Sequence, residues 1–347
     1  MILDKLLFER ITPIGESILR KSGLKTPPSN VDEMAIFIET VNNSMKKSEF
    51  DGLLIGNIFF SFVSSIEVRD RKTTARTFED IFSALFSLNA TDTSVRQNPV
   101  PTEEVIALDS FNTKNDDWKI SSDLAGNKRE KADLFLGNYS ISLKTLRGFA
   151  FDRNGKMMPK TIKNSDGEDV KNNENGEVNV GSLSFRALLK GILTDDDLVR
   201  LKDRKGGLGS GGAFRESVLN KIKAYNKQEM FLNRLGIFMR YVYDDDLYIV
   251  LKSHYKITWY LIPAKSFIDC IVMTYKYDEP NFEKIWYRWE NNNLRMDWKP
   301  IIEKMNKYNL KYKKIEMLLG DAVHSSKIIE FKRNISKSIS DEINKLL

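Results

Sequence analysis

Gly137-Asn138 stands between two apolar-rich runs, Ala132 to Leu136 and Tyr139 to Leu143. A Gly-Asn pair in that setting closes a two-residue β-hairpin. The loop length sets the register, so Leu136 faces Tyr139 and Asp133 falls opposite Ser142, with Lys144 as its diagonal neighbour. Opposed residues have Cβ atoms roughly 4.5 to 5.5 Å apart and diagonal ones about 7 to 8 Å. A carboxylate and an ammonium therefore share a space about one phosphate wide. The other face of the hairpin carries Leu134, Leu136, Ile141 and Leu143, a side built for burial. Spacing alone also allows a plainer outcome, an ordinary surface ion pair worth under about 1 kcal/mol.

The Lys131-Ala132-Asp133 lead, the Gly137-Asn138 turn and the Ser142-Leu143-Lys144 ending resemble the active-site hairpin of the PD-(D/E)XK nucleases, most closely that of a type II restriction endonuclease. The resemblance covers this hairpin of about 20 residues and one preceding helix. It implies an α/β fold with a restriction-endonuclease-like mixed central sheet flanked by helices and with additional helical segments at both ends. It also implies magnesium-dependent hydrolysis of phosphodiester bonds in double-stranded DNA at a short specific site, by in-line attack that leaves a 5′-phosphate, in a two-fold homodimer. By the same resemblance Asp133 and the main-chain carbonyl of Leu143 are metal ligands, and Lys144 orients or activates the attacking water.

One position departs from the family pattern. The acidic residue usual two places before the lysine is Ser142 here, and a hydroxyl is a poorer ligand for a hard cation than a carboxylate. Ser142 is expected to hydrogen-bond a metal-bound water instead, and the second carboxylate must come from elsewhere. Phe78, Ile81, Phe82, Leu85 and Phe86 recur at helical spacing, and Glu79 stands beside that apolar stripe. This makes Glu79 the first candidate metal ligand, ahead of Glu168, Glu174, Glu177 and Glu216; the alternative is that it solvates a helix edge next to Asp80. Two other functions remain open: a structure-specific or repair nuclease of the same superfamily, and a non-catalytic DNA-binding protein on that fold, which the serine favours.

Composition excludes several other chemistries. A single cysteine, Cys270, forbids an intramolecular disulfide, and with only His254 and His324 beside it no structural zinc site can be assembled. Cys270 lies in the apolar run 267–273 and reads as a buried inert thiol. The histidines, far apart and without flanking metal patterns, read as structural. No apolar run is long enough for a membrane span, and charges break the opening ten residues too early for a secretory signal. A cytoplasmic location is expected.

The net charge of +6 permits nucleic-acid binding, and its distribution is more telling. Basic residues outnumber acidic ones between Lys144 and Arg240, and many flank the glycine-rich stretch 206–212. Such glycines let a backbone approach phosphate closely, but no Lys-Ser or Lys-Thr follows, which excludes a nucleotide-binding P-loop. A DNA-contacting loop and a flexible connector between helices both satisfy the pattern. Arg147, Arg204, Lys205 and Arg215 are candidate DNA contacts. Arg288 and Arg295, in an aromatic- and Asn-rich turn from Trp286 to Trp298, are candidates for base reading; an aromatic corner under a terminal helix explains the same tryptophans.

The 347 residues, 41% hydrophobic, suffice for one large core and are expected to form a single nuclease unit. Its parts are a helical region at about 1–70, a catalytic core at 71–275 and a helical region at 276–347. Helices are expected at Val31–Met45, Leu53–Val63, Leu183–Leu193 and Phe214–Tyr243, with an amphipathic helix ending Pro300–Leu347. Strands are expected at Glu104–Leu108, Leu247–Leu251 and Lys256–Ile262, and 112–130 and 153–178 read as a loop and as an exposed hairpin or loop. Asp195–Asp197 and Asp244–Asp246 resemble metal clusters but stand where elements begin, where acidic residues cap and turn the backbone.

Overall fold

The computed structural model describes residues 2–64, 71–88, 132–137, 139–147, 149–151, 157–159, 161–163, 169–171, 179–184, 188–200, 212–243, 246–252, 256–278, 286–290 and 293–318. The chain is mixed α/β. A five-stranded mixed sheet runs in the order β1 (Leu134–Leu136), β2 (Tyr139–Arg147), β8 (Asp246–Lys252), β9 (Lys256–Pro263) and β12 (Lys313–Leu318). Two compact units emerge from the backbone packing. One comprises Met1–Asn89, Val250–Tyr260 and Lys313–Leu347, the other Ala90–Ile249 and Leu261–Tyr312. No helix among the described residues is long and apolar enough to cross a membrane.

The first unit is led by four helices, α1 (Ile2–Lys21), α2 (Val31–Lys46), α3 (Phe50–Ser64) and α4 (Arg71–Ala84). Helix α2 starts where Asn30 accepts the Glu33 N–H at 3.0 Å, while the Glu33 carboxylate reaches back to the N–H and hydroxyl of Ser29, both at 2.8 Å. These bonds satisfy donors that a helix start leaves open. The stripe read from the sequence is the core of this unit: Phe78 stacks on Phe82 with ring centres 6.1 Å apart, and Phe59 meets Phe78 at 5.5 Å and Trp259 at 5.5 Å. Each phenylalanine so buried stabilises the fold by roughly 1.5–3 kcal/mol. Helix α1 crosses the end of α4 at Gly15, where any β-carbon would collide with the Leu85 carbonyl; a side chain there would push the two elements apart. Strand β12 alternates exposed and buried residues, with Ile315 and Met317 turned inward. The Asn42 side chain of α2 donates to the Glu316 carbonyl of this strand at 3.0 Å.

The second unit contains the hairpin β1–β2 and two short antiparallel ribbons. These are β3 (Phe149–Phe151) with β4 (Met157–Pro159), and β5 (Thr161–Lys163) with β6 (Asp169–Lys171). It also holds a three-stranded sheet in the order β10 (Trp286–Glu290), β11 (Asn293–Asp297), β7 (Asn179–Ser184). Its helices are α5 (Asp195–Arg200), α6 (Gly212–Ala224), α7 (Gln228–Val242), α8 (Ala264–Tyr277) and α9 (Trp298–Lys307). Rings join α7 and its end to α8: Phe231 meets Tyr275 at 4.9 Å, and Tyr243 meets Phe267 at 4.6 Å. Burial pushes the Tyr243 phenol far above its usual range. Cys270, also buried, contacts the Ile301 carbonyl at 3.4 Å.

Three sequence expectations need correction. Leu183–Leu193 is not one continuous helix, because Leu183 and Ser184 are taken into β7, with Leu183 paired to Leu294 of β11. Residues 188–189 are helical, and the chain turns after them at Gly191 with φ of +75°. Leu188, Leu189, Ile192 and Leu193 are buried. Phe214–Tyr243 is two helices rather than one. Asn226 takes φ of +53°, and the Lys227 N–H returns to the Ile222 carbonyl at 2.9 Å, a helix stop that asparagine tolerates. Trp286–Trp298 is a strand pair leading into α9, and β12 follows α9, so the described part of 276–347 is not purely helical. The helices near 31–45 and 53–63 and the strands β8 and β9 stand as expected, while Glu104–Leu108, 112–130 and the segment after Leu318 lie outside the described residues.

Candidate active site

The hairpin ladder pairs Leu134 with Ile141, Phe135 with Ser140 and Leu136 with Tyr139. This is the register that the Gly137-Asn138 turn demands, and Gly137 supplies the required positive φ of +68°. Asp133 stands at a bend one residue outside the ladder. Its N–H reaches the Ile141 carbonyl at 3.0 Å. Its carboxylate does what the next backbone pair would otherwise do: Oδ2 accepts the Leu143 N–H at 2.6 Å and also meets Lys144 Nζ at 3.1 Å. A short polar side chain that captures a local backbone donor in this way favours bends over regular strand, which is why β1 begins at Leu134.

Burial turns this pair into something other than a surface ion pair. The Asp133 side chain is 8% exposed and that of Lys144 33%, so the carboxylate is covered and the amine retains a path to solvent. Ser142 and Ser140 are buried as well, and strand alternation places both on the face of β2 that carries Lys144. Leu134, Leu136, Ile141 and Leu143 are buried on the other face as the alternation requires. Ser140 was legible from its spacing two residues before Ser142, yet sequence reasoning gave it no role.

Asp246, the last of the acidic triplet and the first residue of β8, is a buried carboxylate. Tyr248, two residues on, meets the Tyr139 phenol at 3.0 Å and so shares the Tyr139 side of the sheet, away from Ser142 and Lys144. Burial, and then the nearby Asp246 charge, lift the Tyr248 phenol well above its usual range. Asp195–Asp197 occupy the first turn of α5, as expected of cap-forming acids. Asp197 has a further part: it is buried, paired with Lys221 of α6, and accepts the Tyr225 hydroxyl at 2.8 Å. Burial pushes its carboxyl up, but Lys221, Tyr225 and Thr194 outweigh that and hold it at about 2.

The structure thus brings together Asp133, Ser142, Leu143 and Lys144. Glu79 lies on α4 in the first unit and is buried between Phe78 and Asp80 in sequence; it does not solvate a helix edge. Arg147 ends β2, and Arg215 lies in the first turn of α6. Arg288 and Arg295 are direct partners across the β10–β11 ladder. Arg204, Lys205, Glu168, Glu174 and Glu177 fall outside the described residues, and Glu216 lies on α6.

Magnesium keeps several waters and takes one or two carboxylates from a protein. The hairpin offers one buried carboxylate, a hydroxyl and main-chain carbonyls, a set that fits a largely hydrated hard cation. Among the described residues no three His, Cys, Asp or Glu gather to form a cage. Comparisons with protein-family models, with curated proteins and with solved structures found no match to this chain.

Proposed function

We propose that the chain is a magnesium-dependent endodeoxyribonuclease of the PD-(D/E)XK type, acting on double-stranded DNA at a short specific site as type II restriction enzymes do, and working as a homodimer. The observation that carries this reading is the engagement of one covered carboxylate, Asp133, by a half-exposed amine, Lys144, at 3.1 Å on a two-residue hairpin. Asp133 and the Leu143 carbonyl would hold the cation, with the Ser142 hydroxyl hydrogen-bonded to a water on it. Bound there, it supplies polarisation of the phosphate and a more acidic water.

The remaining work belongs to the side chains. The Leu143 N–H fixes the Asp133 carboxylate in orientation, so the ligand does not have to be ordered when substrate arrives. Lys144, with a flexible stem and three donors, orients the attacking water and stabilises charge that builds on the phosphate oxygens. Arg147, Arg215, Arg288 and Arg295, with Arg204 and Lys205, supply phosphate and base contacts; an arginine reads guanine through two parallel hydrogen bonds.

Digestion of several plasmids with and without magnesium tests the proposal. Discrete, magnesium-dependent fragments are expected. Smearing or structure-dependent nicking points to a repair-type nuclease, and binding without cleavage points to the non-catalytic reading that Ser142 favours.

A further inference from the structure

We propose that the Lys144 ammonium is the resident counter-ion of Asp133, and that a divalent cation gains the carboxylate by displacing it. Filling the metal position and freeing the amine for a phosphate are then one event. The inference rests on the metal-binding reading of the hairpin given above.

Its ground is the division of labour at a single oxygen. Oδ2 of Asp133 accepts the Leu143 N–H at 2.6 Å and meets Lys144 Nζ at 3.1 Å. The first partner is main chain, held in the second strand of the hairpin, and cannot leave without unpairing it. The second is the tip of a four-carbon stem that is 33% exposed, and it can swing away with no backbone change. Magnesium binds carboxylate oxygen at about 2.0–2.1 Å. A cation on Asp133 and an ammonium still at hydrogen-bond distance would put two like charges within about 4 Å, where repulsion is strong at a covered site. One of them must go, and only the ammonium is mobile.

Displacement also leaves the amine where it is useful. Lys144 directly follows Leu143, so the freed ammonium stays within a side chain's length of the carboxylate that it left. Before a cation arrives, the amine is masked by Asp133 and offers a phosphate little charge. The protein would therefore bind DNA phosphate at this point only after the cation is in place, and idle contact with nucleic acid would not engage the hairpin.

Manganese titration of the full chain without DNA, followed by calorimetry, tests the exchange. Lys144→Met keeps the stem and removes the competitor, so its manganese affinity should rise about tenfold or more, the fold-change of losing one hydrogen bond to a charged group. Lys144→Arg, which keeps the charge, should stay near the parent, and Asp133→Asn should lose the site. In the parent protein, acetylation of Lys144 read by mass spectrometry should quicken when manganese is added. If Asp133-dependent binding is present but Lys144→Met binds no tighter, or if acetylation is unchanged or slower, the displacement is wrong while the metal site stands. If no protein shows Asp133-dependent manganese binding, the displacement falls together with the metal reading.

Discussion

Asp133 and Leu143 are joined through a side chain where a β-ladder would use backbone: the carboxylate accepts the Leu143 N–H at 2.6 Å, one residue outside the three ladder pairs of the hairpin. The same residue thus ends a strand and places an acid. Asp133→Ala should expose the cost of that double duty. It leaves a covered N–H without its acceptor, a loss of about 1–3 kcal/mol, measurable as a lower urea midpoint with unchanged slope. Asp133→Asn retains an acceptor oxygen and should recover most of that stability while giving no cleavage.

Lys144→Ala separates chemistry from binding. Removing a donor that stabilises charge in the transition state costs on the order of 10²–10³ in rate. Plasmid cleavage should fall by at least that much, while gel-shift affinity for DNA stays within a few-fold. Cleavage at the parent rate would remove Lys144 from the site.

Asp197 gives a pH signature that owes nothing to catalysis. Its carboxyl is held at about 2 against an ordinary 3.8, with Lys221 and Tyr225 outweighing burial. A depressed acid stabilises the fold above its unfolded value, and that contribution disappears as pH falls through the folded one. The melting temperature of the parent should exceed that of Asp197→Asn at pH 5–7, and the gap should close between about pH 4 and 2. A gap independent of pH would mean that the pairing with Lys221 is not what holds the carboxyl down.

Cys270 should be inert while the protein is folded. Burial pushes its thiol up to about 12, so almost no thiolate exists at neutral pH, and reagent access is blocked as well. Labelling by a maleimide should be slow in buffer and complete within minutes in denaturant. Rapid labelling of the native chain would contradict the packing of α8 against Ile301.

What the sequence disclosed follows from the range of the forces involved. The hairpin was legible because Gly137-Asn138 and strict alternation are local signals, and the aromatic stripe from Phe78 to Phe86 was legible because helical periodicity is local too. The position of Asp133 was only half legible. Side-chain capture of the Leu143 N–H competes with the ladder and wins, which no alternation pattern records. Leu183 was misread because its partner, Leu294, lies far along the chain, and a strand pairing of that separation overrides spacing. Asn226 was a readable helix stop that a continuous apolar pattern hid. Strand β12 carried alternation at Ile315 and Met317, but over too few residues to stand out. The burial of Glu79 on α4 was invisible for the same reason as Leu183: it is set by tertiary packing.

Among the described residues, strand β12 has a neighbour, β9, on one side only. Sheets that end on a bare strand invite foreign strands to add to them. Here the amide of Asn42 on α2 donates to the Glu316 carbonyl of that strand, tying a helix to it. If that tie keeps foreign strands off β12, Asn42→Ala should aggregate faster than the parent before its melting point falls.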